Sequence, residues 1–219
     1  MKIRKYELKE IVRVGVPTSL CGIFFYVANV IIASAVNSMG TETMTANAIS
    51  SQFDGIIYQL GSSIAISCMV MVGQCVGAGN FDRVKKSMRY GCAYATAASL
   101  VIGALFAIFA EPLLYIMTDN PSVVEIAKGR MHLLCFTYFL TAVMEVFSFS
   151  LRALGKANAT MIVGAITGLG IRSLWVYMVW PVNKTLGMLY FAFVPSALIA
   201  VIIYFFIYRR LIKRIIHSA

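Results

Sequence analysis

An all-α fold, an integral membrane bundle of six transmembrane helices, is what this sequence predicts, on three observations. Sixty per cent of its 219 residues are hydrophobic and only 13% are charged, roughly half the charged share of a soluble domain. Mean hydropathy is +0.81. Apolar runs alternate with short charged segments, and each run reaches the roughly 20 helical residues needed to cross a hydrocarbon core of about 30 Å. Strand alternation is absent, and helix satisfies every backbone N–H and C=O inside lipid.

Taken in order, residues 14–36, 90–110 and 185–208 are uncharged spans. Residues 49–76, 131–151 and 157–180 are as apolar, but each holds one charge: Asp54, Glu145 and Arg172. Residues 1–13 mix Lys and Arg with Ile3, Tyr6, Leu8, Ile11 and Val12, which suits a cytoplasmic interfacial helix. Residues 14–210 form the lobe, and residues 211–219 a basic cytoplasmic tail. Ala33-Ser34-Ala35 looks like a signal-cleavage site, but the apolar run before it is too long for a signal peptide, so it reads as the retained first helix.

Orientation follows from Lys and Arg. Fifteen lie in the amino-terminal segment, the second and fourth connections and the carboxy-terminal stretch from Arg209 onward, against three, Lys128, Arg130 and Lys184, on the opposite side. The positive-inside rule then puts both termini in the cytoplasm. The net charge of +10 reflects topology and anionic lipid, and nucleic acid is not expected as a partner.

Gly15 and Pro17 are expected to open the first helix, Glu111-Pro112 to end the third and Trp180-Pro181 the fifth. Pro195, inside the last span, should kink it. Small residues gather at Gly61, Ser62, Ser63, Ala65 and Ser67, and again at Gly164, Ala165, Gly168 and Gly170, where helices either pack closely or slide. Cys21, Cys68, Cys75, Cys92 and Cys135 form no Cys-x-x-Cys pair and read as small packing residues rather than disulfides or metal ligands.

The second connection, Val72-Gly73-Gln74-Cys75-Val76-Gly77-Ala78-Gly79-Asn80, continues into Phe81-Asp82-Arg83-Val84-Lys85-Lys86. It resembles the loop after the second helix of each half in the multidrug and toxic compound extrusion (MATE) family. Leu151-Arg152-Ala153-Leu154-Gly155-Lys156 is similar to that family's Leu-Arg-Gly-x-Gly turn, and Ile171-Arg172-Ser173-Leu174-Trp175 to the Arg-bearing fifth helix of its carboxy-terminal lobe. The resemblance covers nearly the whole chain, yet members have twelve helices in two lobes, so this chain resembles the second lobe alone. It implies a bacterial inner membrane and a partner, an amino-terminal lobe or a second copy. Gly73, Gln74, Gly77, Ala78, Arg152 and Gly155 are the family-like cytoplasmic turn residues. Ala153 departs from the usual glycine, and residues 14–36 lack the carboxylate that some branches carry there.

Asp54, Glu145 and Arg172 are the candidate working residues, because a charge at bilayer depth is normally paired or lines a polar cavity. Asp54 and Arg172 lie at matching depths, roughly 9 and 12 Å from the outer side, and Glu145 roughly 10 Å deeper than Arg172. Two readings stay open. Asp54 and Arg172 form an ion pair that locks two helices, or one carboxylate exchanges H⁺ or Na⁺ for a cationic drug, Asp54 first if it is unpaired and Glu145 second. Asn29, Gln52, Tyr58 and Gln59 are polar pathway candidates. Among the 14 Phe, 11 Tyr and 12 Met, some can line an adaptable cavity for planar cations. His132 reads as an interfacial anchor, and Asn183-Lys184-Thr185 is a weak glycosylation match.

The expected function is secondary export of small cationic amphiphiles by alternating access, with H⁺ or Na⁺ as coupling ion and no other cofactor. A flippase for lipid-linked oligosaccharide should line its cavity with several basic residues, and Arg172 is the only one expected there. An enzyme is not expected, since His132 and His217 lie far apart and form no catalytic cluster. A non-transporting membrane subunit or fragment is the remaining alternative.

Overall fold

Uninterrupted apolar sequence becomes long helix wherever neither proline nor a turn residue intervenes. The computed structural model describes residues 5–135 and 137–218, and no strand occurs among them. The long helices are α1 (Lys5–Asn37), α2 (Thr41–Gly77), α3 (Phe81–Ile108) and α10 (Phe193–Ser218). Shorter ones are α4 (Ala110–Tyr115), α5 (Pro121–Cys135), α6 (Tyr138–Ala153), α7 (Ala157–Gly164), α8 (Arg172–Leu174) and α9 (Leu186–Phe191). Among the described residues five stretches are long and apolar enough to span a membrane, or six with the bent pair α5–α6 taken as one span. Residues 1–4 of the expected interfacial segment, and Ala219 of the tail, lie outside the described residues. Residues 5–13 continue α1 without a break.

Pro17 lies inside α1 rather than at its opening, because the charged segment ahead of it is itself helical. The fourth span differs from a plain helix over residues 131–151. Helix α5 starts ten residues earlier, at Pro121, and meets α6 at 45°. At the bend Thr137 N–H and Oγ1 both donate to the Leu134 carbonyl, at 2.9 and 3.0 Å. In the last span the break falls at Ala192, between α9 and α10. Pro195 stands in the first turn of α10, where its ring clashes with the carbonyl four residues back and it lacks an N–H to donate.

The fifth span is irregular in a way the sequence does not predict. Ala165–Ile171 and Trp175–Val179 are π-helical, with the single α-turn of α8 between them. Such widened turns are rare and occur often at functional sites. Ser196 of α10 donates to the Thr167 carbonyl at 2.7 Å.

Both turns of the family-like sequence end alike. Asn80 N–H reaches the Cys75 carbonyl and Gly79 N–H the Val76 carbonyl, while Lys156 reaches Leu151 and Gly155 reaches Arg152, all at 2.9 to 3.0 Å. Gly79 (φ 67°) and Gly155 (φ 76°) hold the left-handed position that this C-terminal motif requires. Gly73 and Gly77 are helical instead.

Helix α2 is central and packs on α3, α5 and α6, whereas α1 packs mainly on α7 and its π-helical continuation, and α10 joins α6 to α7. Lipid supplies no hydrophobic drive between helices, so close contact of small residues holds these groups together. A Cβ at Gly61 would meet the Ala142 Cβ at 3.1 Å, and one at Gly103 the Cys135 carbonyl oxygen at 2.7 Å. The α1 group and the α2 group meet along a seam that holds two cavities.

Candidate functional site

Buried positions on α2 recur every three or four residues, through Ala46, Ser50, Asp54, Ile57, Gly61 and Ala65. That spacing is one helix face, and it carries Asp54 inward. Gln52 and Gln59 fall off the stripe, are exposed and line neither cavity. On α5 the buried face runs through Val123, Ala127, Arg130 and Leu134.

One cavity, of about 310 Å³, lies toward the α1–α2 turn and contains Asp54 with Arg130 and Asn29. The other, of about 320 Å³, lies toward the basic end and contains Glu145 with Arg152 and Thr18. Phe25, Tyr58, Thr141 and Arg172 line both. The sequence candidates Asp54, Glu145, Arg172, Asn29, Tyr58 and Arg152 are therefore brought together. Gly73, Gln74, Gly77, Ala78 and Gly155 lie apart from them, at the basic end.

The partner of Asp54 is Arg130, not Arg172. Arg130 Nη1 lies 2.6 Å from Asp54 Oδ2 and donates to Ser50 Oγ at 2.7 Å. Its guanidinium covers the Tyr190 ring at 4.2 Å, and the Tyr190 hydroxyl donates to Asn47 Oδ1. Arg130, placed by its sequence position at the outer surface, is only 5% exposed. Glu145 accepts a hydrogen bond from the Tyr58 hydroxyl at 2.6 Å. Among the described residues no basic side chain is within ion-pairing distance of Glu145. Arg152 donates to Ser148 Oγ at 3.3 Å and covers Phe149.

Arg172 sits between rings, 4.0 Å from the centroid of Phe193 and 5.2 Å from that of Phe25. Phe25 stacks on Tyr58, and Phe193 stacks on Tyr190. One row of aromatic and charged groups thus runs from Glu145 through Tyr58, Phe25, Arg172, Phe193, Tyr190 and Arg130 to Asp54. Three arginines, not one, line the cavities, which removes the expectation of a single basic residue there. The missed member, Arg130, falls one residue ahead of the apolar run beginning at Met131. Its signal was helical spacing from Val123 and Ala127.

No group of three or more potential metal ligands occurs among the described residues. Paired and unpaired charges on a seam between helix groups suit binding and release of charged solutes, with each cavity within the size range of small-molecule sites.

The chain is 24% identical over 201 residues to the probable multidrug resistance protein NorM of Thermotoga maritima, covering 84% of this chain and 43% of that relative. It is 25% identical over 158 residues to the multidrug resistance protein NorM of Aliivibrio fischeri, covering 72% and 34%. The chain thus spans less than half the length of the curated relatives it matches. Its fold superposes on a MOP superfamily transporter from Pyrococcus furiosus with a TM-score of 0.88 at 18% identity, over 98% of this chain and 48% of that one. For the Vibrio cholerae MATE transporter VcmN in the bent form the TM-score is 0.86 at 18% identity, over 97% and 49%. The MatE family model matches residues 17–178, and with most of the chain inside that match, this multi-pass membrane protein belongs to the MatE family.

Proposed function

We propose that this chain is one lobe, the carboxy-terminal one, of a secondary active exporter of amphiphilic organic compounds, with H⁺ or Na⁺ exchanged at Glu145. Glu145 carries the reading: it is 8% exposed, faces a cavity, and is held by a neutral hydroxyl instead of a cation. A carboxylate in that setting is free to take a proton, a Na⁺ or the cationic part of a substrate in turn. Asp54, paired to Arg130, serves structure instead. The lobe would work with an amino-terminal lobe or a second copy, in a bacterial inner membrane with both termini cytoplasmic, and alternate access by movement of the α1 group against the α2 group.

Arg130, Arg152 and Arg172 favour a second reading, transport of an anionic lipid-linked substrate by the same lobe. Ethidium efflux from cells expressing the chain with an amino-terminal lobe tests the first. Glu145→Gln should abolish efflux at equal expression, whereas unchanged efflux in that variant overturns the assignment of Glu145. No ethidium efflux from the wild-type pair, with export of an anionic lipid-linked sugar instead, would favour the second.

A further inference from the structure

Burying a guanidinium without an anion is costly, and the penalty is repaid only when the charge and its N–H donors are met. Arg130 meets Asp54. Arg172 is the more buried of the two, 2% exposed against 5%, and among the described residues no carboxylate lies within ion-pairing distance of it. Its Nε and Nη1 are buried with no hydrogen-bond partner. Phe25 and Phe193 compensate part of the charge by cation–π attraction, but rings leave in-plane donors unmet. Those donors belong to a side chain that lines both cavities where they adjoin.

We propose that Arg172, between Phe25 and Phe193, is a subsite for the carboxylate of an aromatic ligand. The guanidinium edge takes two oxygens in one plane, which suits a carboxylate. Phe25, Tyr58 and Phe193, which line the cavities beside it, give an aromatic ligand body an apolar wall. Glu145, hydrogen-bonded to the same Tyr58, is placed to receive a positive group on the other end of the ligand. The preferred substrate class is therefore zwitterionic, not simply cationic. This deepens the transport reading and rests on it only for the word substrate, since the subsite itself is a binding property.

Two rhodamines with the same cationic ring system, one with a free carboxylate (rhodamine 110) and one with its methyl ester (rhodamine 123), isolate the interaction. Their binding to the purified chain in detergent is followed by fluorescence polarisation. Wild type should bind the acid at least about tenfold more tightly than the ester, the worth of one hydrogen bond to a charged group. Arg172→Gln should erase that preference by weakening binding of the acid, while Arg172→Lys keeps its sign at reduced size. Arg172→Gln should also melt no lower than wild type, since it removes an unmet buried charge, where a merely structural arginine would leave a less stable protein. Equal affinity for the two dyes in wild type, or an acid preference that survives Arg172→Gln, overturns the subsite. A preserved preference without dye efflux overturns the exporter reading and leaves the subsite standing.

Discussion

At the scale of single residues, the three charges inside apolar runs were visible because a charge in lipid is rare enough to need a reason. Their partners were not, because pairing depends on which helix faces meet. Arg130 shows the limit: counting uncharged runs put it outside the fourth span, while its three- and four-residue spacing from Ala127 and Val123 places it on the buried face. The Asp54–Arg130 pair, 8% and 4% exposed at its side chains, gives a stability prediction. Arg130→Met alone should destabilise the lobe by about 3–5 kcal/mol, because it strands a buried carboxylate. The double change Asp54→Leu with Arg130→Met should recover most of that loss. Unfolding by denaturing detergent, monitored on all three proteins, checks this, and a single variant as stable as wild type would show that the pair contributes nothing.

At the scale of elements, the spans were legible from length and apolarity, and their irregularities only in part. Pro195 announced a break in the last span, and the proline ring sets it three residues earlier, at Ala192. Nothing local announced the π-helical turns around Arg172, since glycine-rich apolar sequence is compatible with either helix, and the Ser196 contact to the Thr167 carbonyl comes from another element. The glycines divide in the same way. Gly73 was singled out by its motif, yet a Cβ there would meet nothing within 4 Å, whereas one at Gly103 would strike the Cys135 backbone at 2.7 Å. Gly103→Ala should therefore push α3 from the α5–α6 bend and cost about 1–3 kcal/mol. Gly73→Ala, in an open helical position, should be neutral or stabilise by up to about 1 kcal/mol. Thermal melting of the two variants side by side separates packing from motif: equal losses would mean that the close approach at Gly103 relaxes without cost.

At the scale of the whole molecule, topology follows from charge and connectivity together. The α2–α3 and α6–α7 turns lie at one end with the start of α1 and the finish of α10, as an even number of spans, with α5–α6 taken as one, requires. With Arg130 inside the bundle, the opposite end keeps only Lys128 and Lys184 of the three basic residues assigned to it by sequence position, while among the described residues the basic end keeps twelve of its fifteen, Lys2 and Arg4 lying outside them and Arg152 lining a cavity. The asymmetry that orients a membrane protein during insertion is thus stronger in the folded lobe than in the linear count. A cysteine placed at Lys184 should react with a membrane-impermeant maleimide added to intact bacterial cells whose outer membrane has been permeabilised, and one at Lys85 should react only after the inner membrane is opened. Replacing the half-buried Cys21 and Cys92 by serine lowers the background, since Cys68, Cys75 and Cys135 are buried. The reverse labelling pattern would place the basic end outside. Labelling of both positions in intact cells would mean that the chain inserts in two orientations, as a lobe able to pair with a second, inverted copy of itself would do.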